Sequence, residues 1–303
     1  MFDNVGIPQA LLYHEFGGLW TTFFQNLGVQ VMVSGETSKR MLDYGTSLAI
    51  DESCLPLKVY LGHVASLLDK CSHIFVPRIV RYHRHFYFCA KFAGLPDIVR
   101  NTFNLPAERL ISPTIETKSL AAQVQAVYAA CRALDLSLLA GELAYNRSLK
   151  SWRAQLPSQE QSPRPRIAVI GHNYLLKDAL FGKDIIGTLT AQGAVIVTPD
   201  NIGGKVLYDE AKAFAPDIYW QLSAKIAGAA RYFCRQSDIA GIVMVSSFGC
   251  GPDSLVNEYL EHHVFRKSDK PYIIINIDEH TGSAGIITRL EAFWDLANRR
   301  AKP

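Results

Sequence analysis

Three of the six cysteines stand where a side chain is displayed rather than packed. Cys54 lies in Asp51-Glu52-Ser53-Cys54-Leu55-Pro56, with Pro56 placed to start a helix. Cys89 lies in Phe88-Cys89-Ala90-Lys91, shortly before Gly94-Leu95-Pro96-Asp97. Cys250 lies in Ser247-Phe248-Gly249-Cys250-Gly251-Pro252-Asp253-Ser254. Its two flanking glycines let the backbone approach a bulky ligand, and amides at a helix start point at anionic sulfur. Cys71, Cys131 and Cys234 fall in or beside helical apolar patterns and read as small buried hydrophobes. No CxxC spacing occurs, so zinc-ribbon and ferredoxin patterns both fail. Spacing leaves metal ligands, nucleophiles and plain core residues all open for the displayed three.

Polar residues cluster near these thiols. Asp51 and Glu52 precede Cys54, as proton donors at a metal site or as acids favoured at a helix start. Lys58 follows about one turn later, and His63 reads as a packed or capped histidine. Lys91 could hold an anionic substrate or tune the local charge, or it is an ordinary surface lysine. Arg78, Arg81, His83, Arg84 and His85 form a basic cluster, fit for phosphates, for an acidic partner or for a solvated loop. There is no GxGxxG, and Gly203-Gly204-Lys205-Val206 lacks P-loop spacing, so a nucleotide site has little support.

The elements that must position these residues follow from short apolar runs without polar alternation. Strands are predicted near residues 5–8, 29–33, 73–77, 166–171, 193–197, 241–245 and 272–276, with helices between them. The first half carries helices near 12–27 and 39–48 and one long helix over 119–145. Buried parallel strands covered by helices on both faces have this pattern, which gives two doubly wound α/β domains. The Pro-, Ser- and Gln-rich stretch 156–166 reads as a linker between a domain over 1–155 and a domain over 167–303. Ligands in such sheets bind beyond the carboxyl ends of the strands, which brings Glu279, His280 and Thr281 to the crevice of Cys250.

Composition sets the outer bounds. Hydrophobic residues make up 49% and charged residues 19% of 303 residues, too apolar for a disordered chain. A net charge of +3 is too small to argue for nucleic acid or an anionic membrane. The first ten residues do not read as a secretory signal, and no apolar run is long enough to span a bilayer. The expectation is a soluble, cytoplasmic protein with reduced thiols.

Taken together, these segments resemble the 2-hydroxyacyl-CoA dehydratase / benzoyl-CoA reductase subunit superfamily, and most closely its acyl-CoA dehydratase activase-related branch. The resemblance rests on the three cysteine segments and on Gly6-Ile7-Pro8-Gln9-Ala10-Leu11, Lys58 with Gly62-His63, and Phe75-Val76-Pro77-Arg78. It also rests on Ile170-Gly171-His172-Asn173-Tyr174, Asp278-Glu279-His280-Thr281-Gly282-Ser283-Ala284-Gly285 and Thr288-Arg289-Leu290-Glu291-Ala292-Phe293. It implies flavodoxin-like domains and an oxygen-sensitive [4Fe-4S] cluster held by Cys54, Cys89 and Cys250 in the crevice between them. It further implies low-potential electrons from an ATP-hydrolysing iron-sulfur activase. The chemistry implied is reduction or dehydration of an acyl-CoA or another small molecule at an open cluster iron. Glu52, Lys91 and Glu279 are the candidates for catalytic roles beside it. A non-catalytic electron-transfer subunit and a zinc-binding α/β protein stay open as alternatives. So do a homodimer and a related second subunit.

Overall fold

The unbroken apolar runs form the strands of two parallel sheets. In the computed structural model, residues 4–81, 85–116, 120–154, 166–178, 180, 182–214 and 217–301 are described. The chain divides into two compact units, Met1–Leu156 and Pro157–Pro303. The predicted linker, apart from Arg166, lies outside the described residues, as do His83 and Arg84 of the basic cluster.

In unit 1 the strands are β1 (Asn4–Ile7), β2 (Gln30–Val33), β3 (His73–Phe75), β4 (Arg78–Ile79), β5 (Leu110–Ile111) and β6 (Thr114–Ile115). The helices are α1 (Tyr13–Asn26), α2 (Lys39–Leu48), α3 (Leu55–Ala65), α4 (Ala90–Ala93), α5 (Leu95–Thr102), α6 (Leu120–Ala133) and α7 (Leu138–Ala154). The main sheet has the order β2-β1-β3-β5, and β4 pairs with β6 in a small second sheet, all in parallel. Trp20, Phe23 and Phe24 of α1 pack on Phe75 of β3, with Trp20 and Phe75 rings 4.8 Å apart.

The long helix predicted over 119–145 is instead two helices, α6 and α7. Asp135 adopts a left-handed backbone (φ 51°), and Leu136 N–H returns to the Cys131 carbonyl at 2.9 Å. The hydroxyl of Ser137 then accepts from Ala140 N–H and opens α7. Asp tolerates the left-handed region better than most residues, which is why the apolar pattern turns back here. Gly141 makes the turn-back close: a Cβ there would fall 2.4 Å from the Cys131 sulfur. Another glycine contact sets α2 against α3. A Cβ at Gly45 would sit 1.9 Å from the Lys58 carbonyl oxygen, and one at Gly62 would sit 2.0 Å from that of Met41.

In unit 2 the strands are β7 (Arg166–Ile170), β8 (Val195–Val197), β9 (Ile239–Ser247) and β10 (Tyr272–Ile277). The helices are α8 (Asn173–Leu176), α9 (Gly182–Ala191), α10 (Gly204–Ala211), α11 (Gln221–Arg235), α12 (Gly251–Leu260) and α13 (Ser283–Ala301). The sheet order is β10-β9-β7-β8, again parallel throughout. Ile170, Met244, Phe233 and Phe265 are among its fully buried core. Each unit is thus a parallel α/β sheet of the Rossmann-like kind. In each, the chain reverses its direction of strand addition once, between β1 and β3 and between β7 and β9. No helix among the described residues is long and apolar enough to cross a membrane.

Candidate functional site

The three displayed cysteines share one backbone position. Cys54 is the N-cap of α3, Cys89 of α4 and Cys250 of α12, each with extended dihedrals. Proline starts α3 and α12 as the sequence suggests, because its fixed φ suits the first turn and its missing N–H is not needed there. All three thiols are half-buried, whereas Cys71 and Cys131 are core residues. Cys234 is half-buried and packs at the edge of the unit 2 core.

In unit 1 the fold brings Cys54 and Cys89 together. Burial pushes the Cys89 thiol above its ordinary pKa, and the Cys54 sulfur acts on it in the same direction. The amides of Phe92 and Lys91 donate to the Cys89 sulfur, and they and the Lys91 charge work the other way. Lys91 therefore serves Cys89 through its backbone as well as through its ammonium group. Arg78, read from sequence as part of a basic cluster, ties this segment down. It donates to the Ala93 carbonyl at 2.5 Å and to Asp97 at 2.7 Å, bridging the end of α4 and the start of α5. Arg81 donates to the Glu116 carbonyl and lies over the Tyr87 ring.

Glu52 is exposed in the turn before Cys54, where Ser53 N–H bonds the Ile50 carbonyl. Lys58 is buried in α3. His63 is fully buried, with Nδ1 2.7 Å from Ser34 Oγ and Nε2 2.9 Å from Thr37 Oγ1. Burial and the nearby His14 hold its pKa down to about 4, so it is a neutral structural histidine at pH 7.

In unit 2 the topology assembles a group that sequence reading did not single out. β7 and β9 are neighbours, so the loops leaving their carboxyl ends meet. His172 follows β7 and caps α8, while Cys250 follows β9 and caps α12. Gly171 permits the approach: a Cβ there would meet the Val245 carbonyl oxygen at 3.0 Å. Gly249, at φ 74°, makes the turn that presents Cys250, a conformation that suits glycine. Asp253, in the first turn of α12, lies beneath both. His172 Nε2 is 2.9 Å from one Asp253 carboxylate oxygen and 2.8 Å from the other. Ser223 of α11 donates to the same carboxylate at 3.1 Å.

Burial alone would raise the Asp253 pKa. The His172 ring and hydrogen bonds from His172, Cys250 and Ser223 outweigh it and hold the carboxyl below its ordinary range. One ligand atom each from His172, Cys250 and Asp253 lies within 4.8 Å of the others, a spacing that could hold a metal ion. Both His172 and Asp253 stood in the segments that carry the resemblance. Strand order, which places β7 beside β9, is the signal that joins them.

Glu279 is half-buried in the turn after β10. Asp278 organises that turn by accepting from Thr281 Oγ1 at 2.6 Å and from His280 N–H at 2.9 Å. The end of β10 is joined to the Cys250 loop by Phe248 N–H, which donates to the Ile277 carbonyl at 2.7 Å. The Gly203-Gly204 pair opens α10, and its neighbourhood carries a structural ion network. Asp200 accepts from Lys177 at 2.6 Å, Lys225 at 2.9 Å and Asn173 at 3.2 Å.

A family described as CoA enzyme activase uncharacterised domain matches residues 4–202. The match covers unit 1 and continues into unit 2 through β7 and β8. No curated protein matches the chain.

Proposed function

The chain belongs to the CoA enzyme activase uncharacterised domain family, and from that premise we propose that it is a [4Fe-4S] protein working with an ATP-hydrolysing iron-sulfur activase. Cys54, Cys89 and Cys250 would be the cluster ligands. When bound, the cluster would supply low-potential electrons and one iron without a cysteine ligand, able to polarise an acyl-CoA or another small substrate for reduction or dehydration. The observation that carries this reading is the common N-cap placement of three cysteines that are far apart in sequence.

The donor set fits that group. Thiolate is the ligand such clusters require, and the amides of Lys91 and Phe92 already donate to one of the sulfurs. Cys54 of unit 1 acts electrostatically on Cys89, as a neighbouring ligand of a single site would. In unit 2, Cys250 is hydrogen-bonded to Asp253, which His172 holds in turn. Glu52 and Glu279 are the proposed proton carriers, and Lys91 the proposed anion-holding group. The protein would act as a homodimer or beside a related second subunit.

The compact donor group of His172, Cys250 and Asp253 favours a second reading, a single zinc ion in unit 2. Anaerobic purification decides between them. About four iron and four sulfide per chain, with an EPR signal on reduction, support the cluster. Replacing Cys54, Cys89 or Cys250 by Ala should then each lower iron content, and replacing Cys131 should not. Stoichiometric zinc without sulfide, lost in Cys250→Ala but kept in Cys54→Ala, overturns the cluster and supports the zinc site. Turnover of an acyl-CoA by this chain with reduced activase and ATP separates an enzyme from an electron carrier.

A further inference from the structure

Unit 1 contains a cavity of about 40 Å³ at the carboxyl end of its sheet. Ile7 and Pro8 line it from the end of β1, and Phe75 and Pro77 from the end of β3. The strand order β2-β1-β3-β5 reverses between these two strands, where open parallel sheets leave a crevice for ligands. We propose that this cavity binds a small neutral molecule with an apolar body of about four non-hydrogen atoms and one hydrogen-bonding oxygen. The site is independent of the cluster: it needs neither a metal nor Cys250.

Two features of the walls point to a ligand. Tyr60 of α3 is 3% exposed and lines the cavity, yet no hydrogen bond or charge acts on its hydroxyl among the described residues. The hydroxyl of a largely buried tyrosine normally finds a hydrogen-bond partner. Among the described residues, Tyr13 and Trp20 are the other wall residues that carry a polar side-chain atom. The second feature is Leu11, a buried wall residue held at φ 51°. Leucine rarely occupies the left-handed region, and such strain gathers at ligand sites.

The walls also set the ligand's chemistry. No charged side chain of the described residues lines the cavity, so among them an ion would find no counter-charge. Ala10, Leu11, Trp20, Phe92 and Leu95 suit an aliphatic body. On this measure one water needs about 10–15 Å³, so the void takes roughly a three- or four-atom group and not a long chain. The Tyr60 hydroxyl would donate to a carbonyl or alcohol oxygen at one end.

Acetone and isobutane, which share a shape and differ in the oxygen, test this on the full-length chain by saturation-transfer NMR titration. Acetone should bind saturably at one site, with a Kd of about 1–10 mM. Tyr60→Phe, which removes one oxygen and adds no volume, should weaken acetone about tenfold and leave isobutane unchanged. Ala10→Leu fills the void and should abolish both; if it does not fold, Tyr60→Phe still decides. No saturable acetone binding, or equal acetone affinity in wild type and Tyr60→Phe, overturns the proposal. The first result would mean that the void holds only solvent or nothing.

Discussion

His172 Nε2 lies 2.9 and 2.8 Å from the two carboxylate oxygens of Asp253, and both side chains are buried. The pair joins the loop after β7 to the first turn of α12, where Cys250 is the N-cap. Removing the carboxylate would leave His172 and Ser223 without their buried acceptor. Asp253→Ala should destabilise the protein by about 3 kcal/mol, measured by urea denaturation at pH 7. The folded pKa of Asp253 is depressed, so its stabilisation is present above the unfolded value of 3.8 and is lost as pH falls through the folded one. A cost below about 0.5 kcal/mol would show that the pair does not hold the loop.

His63 titrates in the opposite sense from a histidine with an acidic partner. Its folded pKa is about 4 and its reference value is 6.5, so between these the unfolded chain binds a proton that the folded chain does not. Stability should therefore be full above pH 6.5 and fall by up to about 3 kcal/mol as pH drops towards 4. His14 is the neighbouring charge that adds to the effect. Denaturation midpoints of wild type and His63→Gln, compared at pH 7 and pH 4.5, should converge at the lower pH. Parallel profiles would rule the buried histidine out as the cause.

Gly45 and Gly62 set the spacing of α2 and α3. A methyl group at either would meet a backbone carbonyl oxygen, at 1.9 and 2.0 Å, and backbone cannot step aside as a side-chain end can. Gly45→Ala and Gly62→Ala should each cost about 2–3 kcal/mol and lower the melting temperature by roughly 5–10 °C. Gly251→Ala serves as the control, since a Cβ there meets nothing. Unchanged melting of both helix variants would contradict the close approach.

Cys54 and Cys89 lie near enough for one sulfur to raise the pKa of the other. A trivalent arsenical, which chelates paired thiols, should bind the metal-free chain at one site. Cys54→Ala and Cys89→Ala should each weaken it by at least about tenfold, through loss of the second attachment point. Cys250→Ala should leave this pair intact. Equal binding in all three variants would place the reactive pair elsewhere.

The sequence alone determined the parts that depend on local chemistry. Continuous apolar runs identified the seven strands of the two main sheets that were predicted, because a strand covered on both faces has no polar side to betray its period. Proline after Cys54 and Cys250, and glycine around Cys250, marked the helix starts that carry two of the thiols. What misled was the Ala- and Leu-rich pattern over 119–145, which continues apolar through the turn at Asp135.

Tertiary structure alone decided the rest, because it depends on strand order, and order leaves no trace in a local pattern. Placing β9 beside β7 joins His172 to Asp253, 81 residues apart. Placing β3 beside β1 opens the cavity that Tyr60 faces from a third element. The surroundings then set the chemistry of each: burial and the nearby His14 keep His63 neutral, whereas the His172 ring and the hydrogen bonds from His172, Cys250 and Ser223 outweigh burial and keep Asp253 ionised.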